Sequence, residues 1–305
     1  MNQTSNNEPS KLPKKELFTS SGFILAAIGS SVGLGNMWKF PYITGQHGGA
    51  AFFLLFMGCL LIVGLPVLLA EMTIGRSGRR NAASSLYHLT GKKYWGILGV
   101  LFILTAFLIM SYYAVVAGWT LHYTLESFTG LLFSEDADYK TQFLSFASGY
   151  LPIFWQAVTI VITGWVIARG VSSGIEKFNK ILIPSFFVIL LVLMWRSLTL
   201  PGAGQGVDFF LRPDFSKLDA ESALIALGHA FFSLSLGMGC MMTYGSYVNK
   251  KQSLGGATWA IGFGDLLYAF IAGLIVFPTV FSFGLEPGEG VGLAFMALPA
   301  AFSKM

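Results

Sequence analysis

The chain has 305 residues, of which 54% are hydrophobic, 15% aromatic and only 11% charged. Soluble domains carry about 25% charged residues, so this composition, with a mean hydropathy of +0.66, excludes a soluble globular protein. The net charge of +4 gathers on one side of the chain and gives no basis for nucleic-acid binding.

The chain reads as an all-α integral membrane protein. Residues 1–20 form a polar tail carrying Lys11, Lys14 and Lys15. The apolar run that follows is too long for a removable signal and lacks a small-residue cleavage site. Seven apolar segments follow, at about 21–46, 50–75, 95–129, 151–169, 178–199, 221–247 and 254–284. A short amphipathic helix is expected at Asn81–His88, inside the basic stretch Arg76–Lys93, and residues 200–220 read as an external loop. Cys59 and Cys240 sit inside apolar runs and make no metal-binding spacing.

Lys and Arg counts set the expected orientation. With the N-terminus in the cytoplasm, the inner side holds Lys11, Lys14, Lys15, Arg76, Arg79, Arg80, Lys92, Lys93, Arg169, Lys177, Lys180, Lys250 and Lys251, thirteen of the nineteen. Acidic residues such as Glu135, Asp136, Asp138, Asp208 and Asp214 fall outside. The expected location is the cell membrane, multi-pass, with the N-terminus inside.

The first and sixth segments are not clean helices. One contains Gly29-Ser30-Ser31-Val32-Gly33-Leu34-Gly35-Asn36 and the other Ser233-Leu234-Ser235-Leu236-Gly237-Met238-Gly239. Each Gly costs about 1 kcal/mol against Ala in a helix interior. Close packing through small residues explains a lone pair of glycines. The Ser interruptions and Asn36 point instead to breaks in mid-membrane, which are tolerated only where freed backbone groups line a protected cavity. Freed carbonyls suit Na⁺, and freed N–H groups suit a carboxylate.

From Ser21 the sequence SGFILAAIGSSVGLGNMWKFPYITGQHGGAAFF closely resembles the first span of the neurotransmitter:sodium symporter family, with the Gly33–Pro41 segment and Gly48-Gly49-Ala50 as its most specific parts. Further matches are Gly64-Leu65-Pro66, Glu71 to Arg76, Ser111-Tyr112-Tyr113, Gly118-Trp119, Ser173-Gly174-Ile175-Glu176-Lys177, Phe231 to Ser235, Thr243-Tyr244 and Gly292 to Phe295. The chain looks closest to bacterial members that carry hydrophobic amino acids. The resemblance implies the leucine-transporter-like fold, built from two five-span inverted repeats, and sodium-coupled uptake by alternating access. It divides the chain into the 1–20 tail, a first repeat at 21–199, the external loop at 200–220 and a partial second repeat at 221–305.

The resemblance also implies roles for individual residues. The first sodium site would use the Ser31 carbonyl with Asn36, Ser233 and Asp265, all hard oxygen ligands. The second would take the Gly29 and Val32 carbonyls. The substrate carboxylate would meet Gly33, Gly35 and Tyr113. Its ammonium would meet carbonyls near Phe232, Ser233 and Ser235, and its side chain would meet Ile109, Phe232, Ser235 and Met238. Tyr113 and Phe232 would form an outer lid below the gate residue Lys39, and Glu71 would brace the breaks. An alternative for Glu71 is a span end paired with Arg76. His229 reads as a hydrogen-bonded lining residue.

Several positions depart from the family pattern. Asp265 stands where many relatives have Asn, and Phe56 stands where chloride-dependent relatives have a tyrosine ligand for chloride. A carboxylate at Asp265 would supply the negative charge itself, so transport is expected to need no chloride. Met238 replaces a bulkier aromatic, and its adaptable side chain favours a broad hydrophobic and aromatic range. The second repeat holds about half its usual length. The second sodium site is therefore expected to be incomplete, and the chain alone is expected not to transport. The competing expectation is a non-transporting or split-subunit protein that pairs with a missing C-terminal half or regulates a full-length relative. No nucleophile–base pair or phosphate loop appears, so an enzyme is not expected.

Overall fold

The computed structural model describes residues 17–33, 35–130, 132, 138–284, 295–296 and 299. The described residues contain helices and no strand. Among the described residues, five helices are long and apolar enough to cross a membrane: Ala50–Gly78, Lys93–Thr129, Leu151–Ala168, Ser173–Leu198 and Leu254–Ser282. The other two apolar segments of the sequence, the first and the sixth, are each split into short helices.

In chain order the elements are α1 (Ser20–Ser31), α2 (Phe40–Gln46), α3 (Ala50–Cys59), α4 (Leu65–Gly78), α5 (Ala82–Thr90), α6 (Lys93–Thr129), α7 (Tyr139–Ser148), α8 (Leu151–Ala168) and α9 (Lys177–Leu198). They continue with α10 (Ala203–Leu211), α11 (Ala220–Ser233), α12 (Cys240–Ser246) and α13 (Leu254–Ser282). A π turn at Leu60–Gly64 joins α3 to α4 as one span, and another at Val171–Glu176 leads into α9. The expected short helix is α5, capped by Asn81, whose side chain accepts from the Ser84 N–H at 2.8 Å.

Burial separates the spans by role. Helices α6, α8 and α9 expose large apolar side chains, among them Phe107, Val161 and Trp195, as lipid-facing helices do. Helix α13 is the central post, with Ile261, Ala269, Ala272, Val276 and Phe277 buried. Around it, Phe23, Phe40, Phe52, Phe56, Leu68 and Met241 complete the core. Helices α4 and α12 meet through glycines: a Cβ on Gly75 would lie 2.0 Å from the Met242 carbonyl oxygen, and one on Gly245 would lie 2.5 Å from that of Met72. Only bare backbone permits that approach, as at membrane helix interfaces generally.

The segment 200–220 is not a plain loop. Helix α10 lies against α13, with Phe210 buried and the ring of Phe209 5.1 Å from that of Phe277. Helix α7 likewise forms outside the spans. Both are too short and too mixed in polarity for a search by span length to reveal them.

The half-helix α1 is tied to the start of α9. Thr19 caps α1, accepting from the Gly22 N–H at 3.1 Å. Buried Glu176 accepts from the Thr19 N–H at 2.9 Å and the Thr19 hydroxyl at 2.6 Å, and it also pairs with Lys180. An acid at a helix N-terminus also meets the positive end of the helix dipole. Replacing Glu176 with Ala is expected to loosen this end by about 2 kcal/mol. Hydrogen exchange of the α1 amides from Phe23 to Ser31 should then speed up by about 30-fold; unchanged exchange would show that the tie carries no stability.

Candidate functional site

Two interrupted spans face each other at the centre of the molecule. Helix α1 stops at Ser31 and Val32 turns extended, with φ −95° and ψ 115°. The Gly35 N–H, which would continue the helix to the Ser31 carbonyl, points to the Tyr113 hydroxyl at 3.2 Å. The chain resumes as a π turn at Gly35–Lys39 and then α2. The other break begins after Ser233. There Ser235, Gly237 and Gly239 take positive φ values of 55°, 73° and 72° before α12 starts at Cys240.

Side chains hold the two breaks open and bind them together. The Ser235 hydroxyl donates to the Ser30 carbonyl at 3.0 Å and lies 3.3 Å from the Ser30 hydroxyl. Glu71, buried in α4, accepts from the Gly237 N–H at 2.7 Å. Arg76 donates to the Gln252 carbonyl at 2.8 Å, so its guanidinium is engaged one loop away from Glu71. Ser30 was not singled out from the sequence, although the run of glycines and serines around it marks the right place.

A cavity of about 360 Å³ opens between the breaks, within the usual range for small-molecule sites. Its lining includes Gly33, Gly35, Ile109, Tyr113, Phe232, Ser233, Ser235 and Met238, together with Gly29, Ser31, Val32 and Asn36. Every position assigned to substrate in the sequence reading thus borders one space. Leu34 lies outside the described residues.

Behind the cavity wall sits Asp265, fully buried on α13. Its Oδ1 accepts from Asn36 Nδ2 at 2.9 Å and from the Ser233 hydroxyl at 2.6 Å. The Ser233 hydroxyl is also 3.2 Å from Asn36 Oδ1. Asp265 Oδ2 is buried without a hydrogen-bond partner among the described residues. A buried carboxylate oxygen left unpaired is costly, and a small hard cation at this oxygen-rich point removes the cost. Among the described residues, no group of three or more His, Cys, Asp or Glu side chains gathers to hold a transition metal.

On one side of the cavity the Tyr113 and Phe232 rings stand edge to face, 6.3 Å apart, and the Lys39 ammonium lies 4.3 Å from the Phe232 ring centre. His229 departs from the sequence expectation. Neither ring nitrogen has a hydrogen-bond partner among the described residues, and the ring packs 5.0 Å from Phe56 and 5.7 Å from Phe40. One turn along α11 from Phe232, it enters the aromatic layer rather than the cavity.

Residues 15–144 and 147–305 match the profile described as the sodium:neurotransmitter symporter family. The chain belongs to this family. Among family relatives, an uncharacterized sodium-dependent transporter of Bacillus subtilis (strain 168), YhdH, is 40% identical over 93% of this chain and 63% of its own length. One of Haemophilus influenzae is 37% identical over 93% of this chain and 65% of its own length. The crystal structure of MhsT in complex with L-phenylalanine matches with a TM-score of 0.90 and 46% identity, over 95% of this chain and 67% of that one. The chain therefore spans about two thirds of the length of these symporter-family relatives.

The second break offers a clean local test. A Cβ at Gly237 would meet nothing within 4 Å, so the only obstacle to a side chain there is its φ of 73°. Gly237→Ala is expected to destabilise by about 1–2 kcal/mol, and Gly237→Asn by less, because Asn tolerates the left-handed region. Thermal unfolding in detergent reads the difference; equal midpoints for all three proteins would mean that the turn is not held.

Proposed function

We propose that this sequence encodes the core of a sodium-coupled symporter that brings hydrophobic and aromatic amino acids into the cell by alternating access. The observation that carries the proposal is the unpartnered, buried Asp265 Oδ2 beside Asn36 and Ser233, at the edge of a cavity between two broken spans. A carboxylate that costs energy when unpaired becomes a favourable ligand once sodium arrives. The amino-acid carboxylate would complete the cation's shell from the cavity side, so each ligand raises the affinity of the other.

In this reading the Gly35 N–H and the Tyr113 hydroxyl receive the substrate carboxylate, and carbonyls around Phe232 and Ser233 receive its ammonium. Ile109, Phe232 and Met238 receive its side chain, with Met238 adapting to varied apolar shapes. The Gly29 and Val32 carbonyls contribute to a second sodium site. Tyr113 and Phe232 close over the substrate beneath Lys39, and Glu71 keeps the second break in shape. MhsT, crystallised with L-phenylalanine, supports an amino acid as the substrate class. The thirteen inner-side cations support an N-terminus in the cytoplasm. The proposed cycle uses no chloride: Asp265 carries the charge, and Phe56 offers no hydroxyl. Transport further requires the structure equivalent to the remaining third of the relatives' length, whether continuous with these residues or supplied by a second chain.

Two measurements test the reading. Sodium, compared with N-methylglucamine, should stabilise the protein in detergent, by about 2.7 kcal/mol at a hundredfold excess over its dissociation constant. Replacing chloride with gluconate should leave that gain intact, and Asp265→Ala should remove it. A gain that follows chloride, or one that survives Asp265→Ala, overturns the assignment. Vesicles holding these 305 residues alone should accumulate no leucine or tryptophan under a sodium gradient; robust uptake would show that the remaining third is dispensable.

A further inference from the structure

The inner ends of α8 and α9 enclose a groove of about 200 Å³ outside the substrate cavity. Its mouth carries two cations, Arg169 and Lys177, and its floor is apolar, made by Val166, Phe178, Ile181 and Leu182. The groove exists because Gly174 lets the helices close in: a Cβ there would lie 2.2 Å from the Val166 carbonyl oxygen.

The cations on this side of the molecule are not equivalent. Arg76 is spent on the Gln252 carbonyl, Arg79 bonds the Ser246 carbonyl, and Lys180 pairs with Glu176. Arg169 and Lys177 have no acidic partner among the described residues. The Arg169 guanidinium lies 3.8 Å from the centre of the Trp165 ring. A guanidinium held over a ring face in this way can still donate its N–H groups to an oxyanion. Trp165 itself is half exposed, in the position of an interfacial aromatic.

We propose that the groove between α8 and α9 binds an anionic phospholipid, with the headgroup phosphate between Arg169 and Lys177 and an acyl chain along Phe178, Ile181 and Leu182. Basic pockets between membrane helices on the cytoplasmic side take such headgroups. The apolar floor is what selects a lipid over a free phosphate. Phe178, Ile181 and Leu182 are 39%, 61% and 51% exposed and continue the groove down the lipid-facing side of α9. A soluble anion would use the two cations and leave that surface bare. The site does not depend on the transport reading, since none of its residues borders the substrate cavity.

The test extracts the protein from vesicles of equal phosphatidylglycerol and phosphatidylcholine and counts retained lipids by native mass spectrometry. The unaltered protein should retain phosphatidylglycerol in preference. Arg169→Gln with Lys177→Gln should lower that preference by about 30-fold, at about 1 kcal/mol per cation. Lys92→Gln with Lys93→Gln, which removes the same charge elsewhere, should leave it nearly unchanged. Arg169→Lys with Lys177→Arg keeps both charges and should retain the lipid, which separates charge loss from misfolding. Excess inorganic phosphate should compete poorly. Equal retention of the two lipids, equal losses in the two glutamine pairs, or ready displacement by inorganic phosphate would each overturn the proposal.

Discussion

The structure depends on one constraint: inside a bilayer every backbone N–H and carbonyl must find a partner within the protein. A continuous helix, even one with a π turn, meets it within itself, and among the described residues five spans take that route. The first and sixth segments do not, and much of the polar chemistry at membrane depth answers the resulting deficit. Tyr113 takes the Gly35 N–H, Glu71 takes the Gly237 N–H and Ser235 takes the Ser30 carbonyl. Residues from both breaks line a cavity. Under the proposed function, a binding site for an ion and a zwitterion is what remains when a helix is broken and only partly repaired.

Electrostatics follows the same logic. Asp265 is fully buried and, among the described residues, has two donors on one oxygen and none on the other. No cation pairs with it among the described residues. Under the proposed function the carboxylate is tolerated because its partner arrives and leaves during the cycle.

How much of this was legible in the sequence depended on the kind of signal. The breaks were legible because glycine and serine clusters contradict an otherwise continuous apolar run. Positions lining the cavity followed from family motifs that keep residue types in fixed register. Helices α7 and α10 were not legible, because at ten and nine residues neither has the length of a span. The Glu176–Thr19 tie joins residues 157 positions apart, and no local pattern in either segment announces the other. His229 misled because its polarity suggests a hydrogen bond, whereas its place one turn from Phe232 puts it among rings.

The π turn at Leu60–Gly64 changes the residue count along its span. A π turn holds one residue more than an α-turn, and one residue is worth about 100° of rotation around a helix. The span from Ala50 to Gly78 is therefore two screws of different phase on one shaft. Its first part is set to present Phe52 and Phe56 to the core, its second to present Leu68 and Glu71. Glu71, in the second part, is the residue that accepts from the Gly237 N–H. The geometry of a break in one span is in this sense stored as a surplus residue in another.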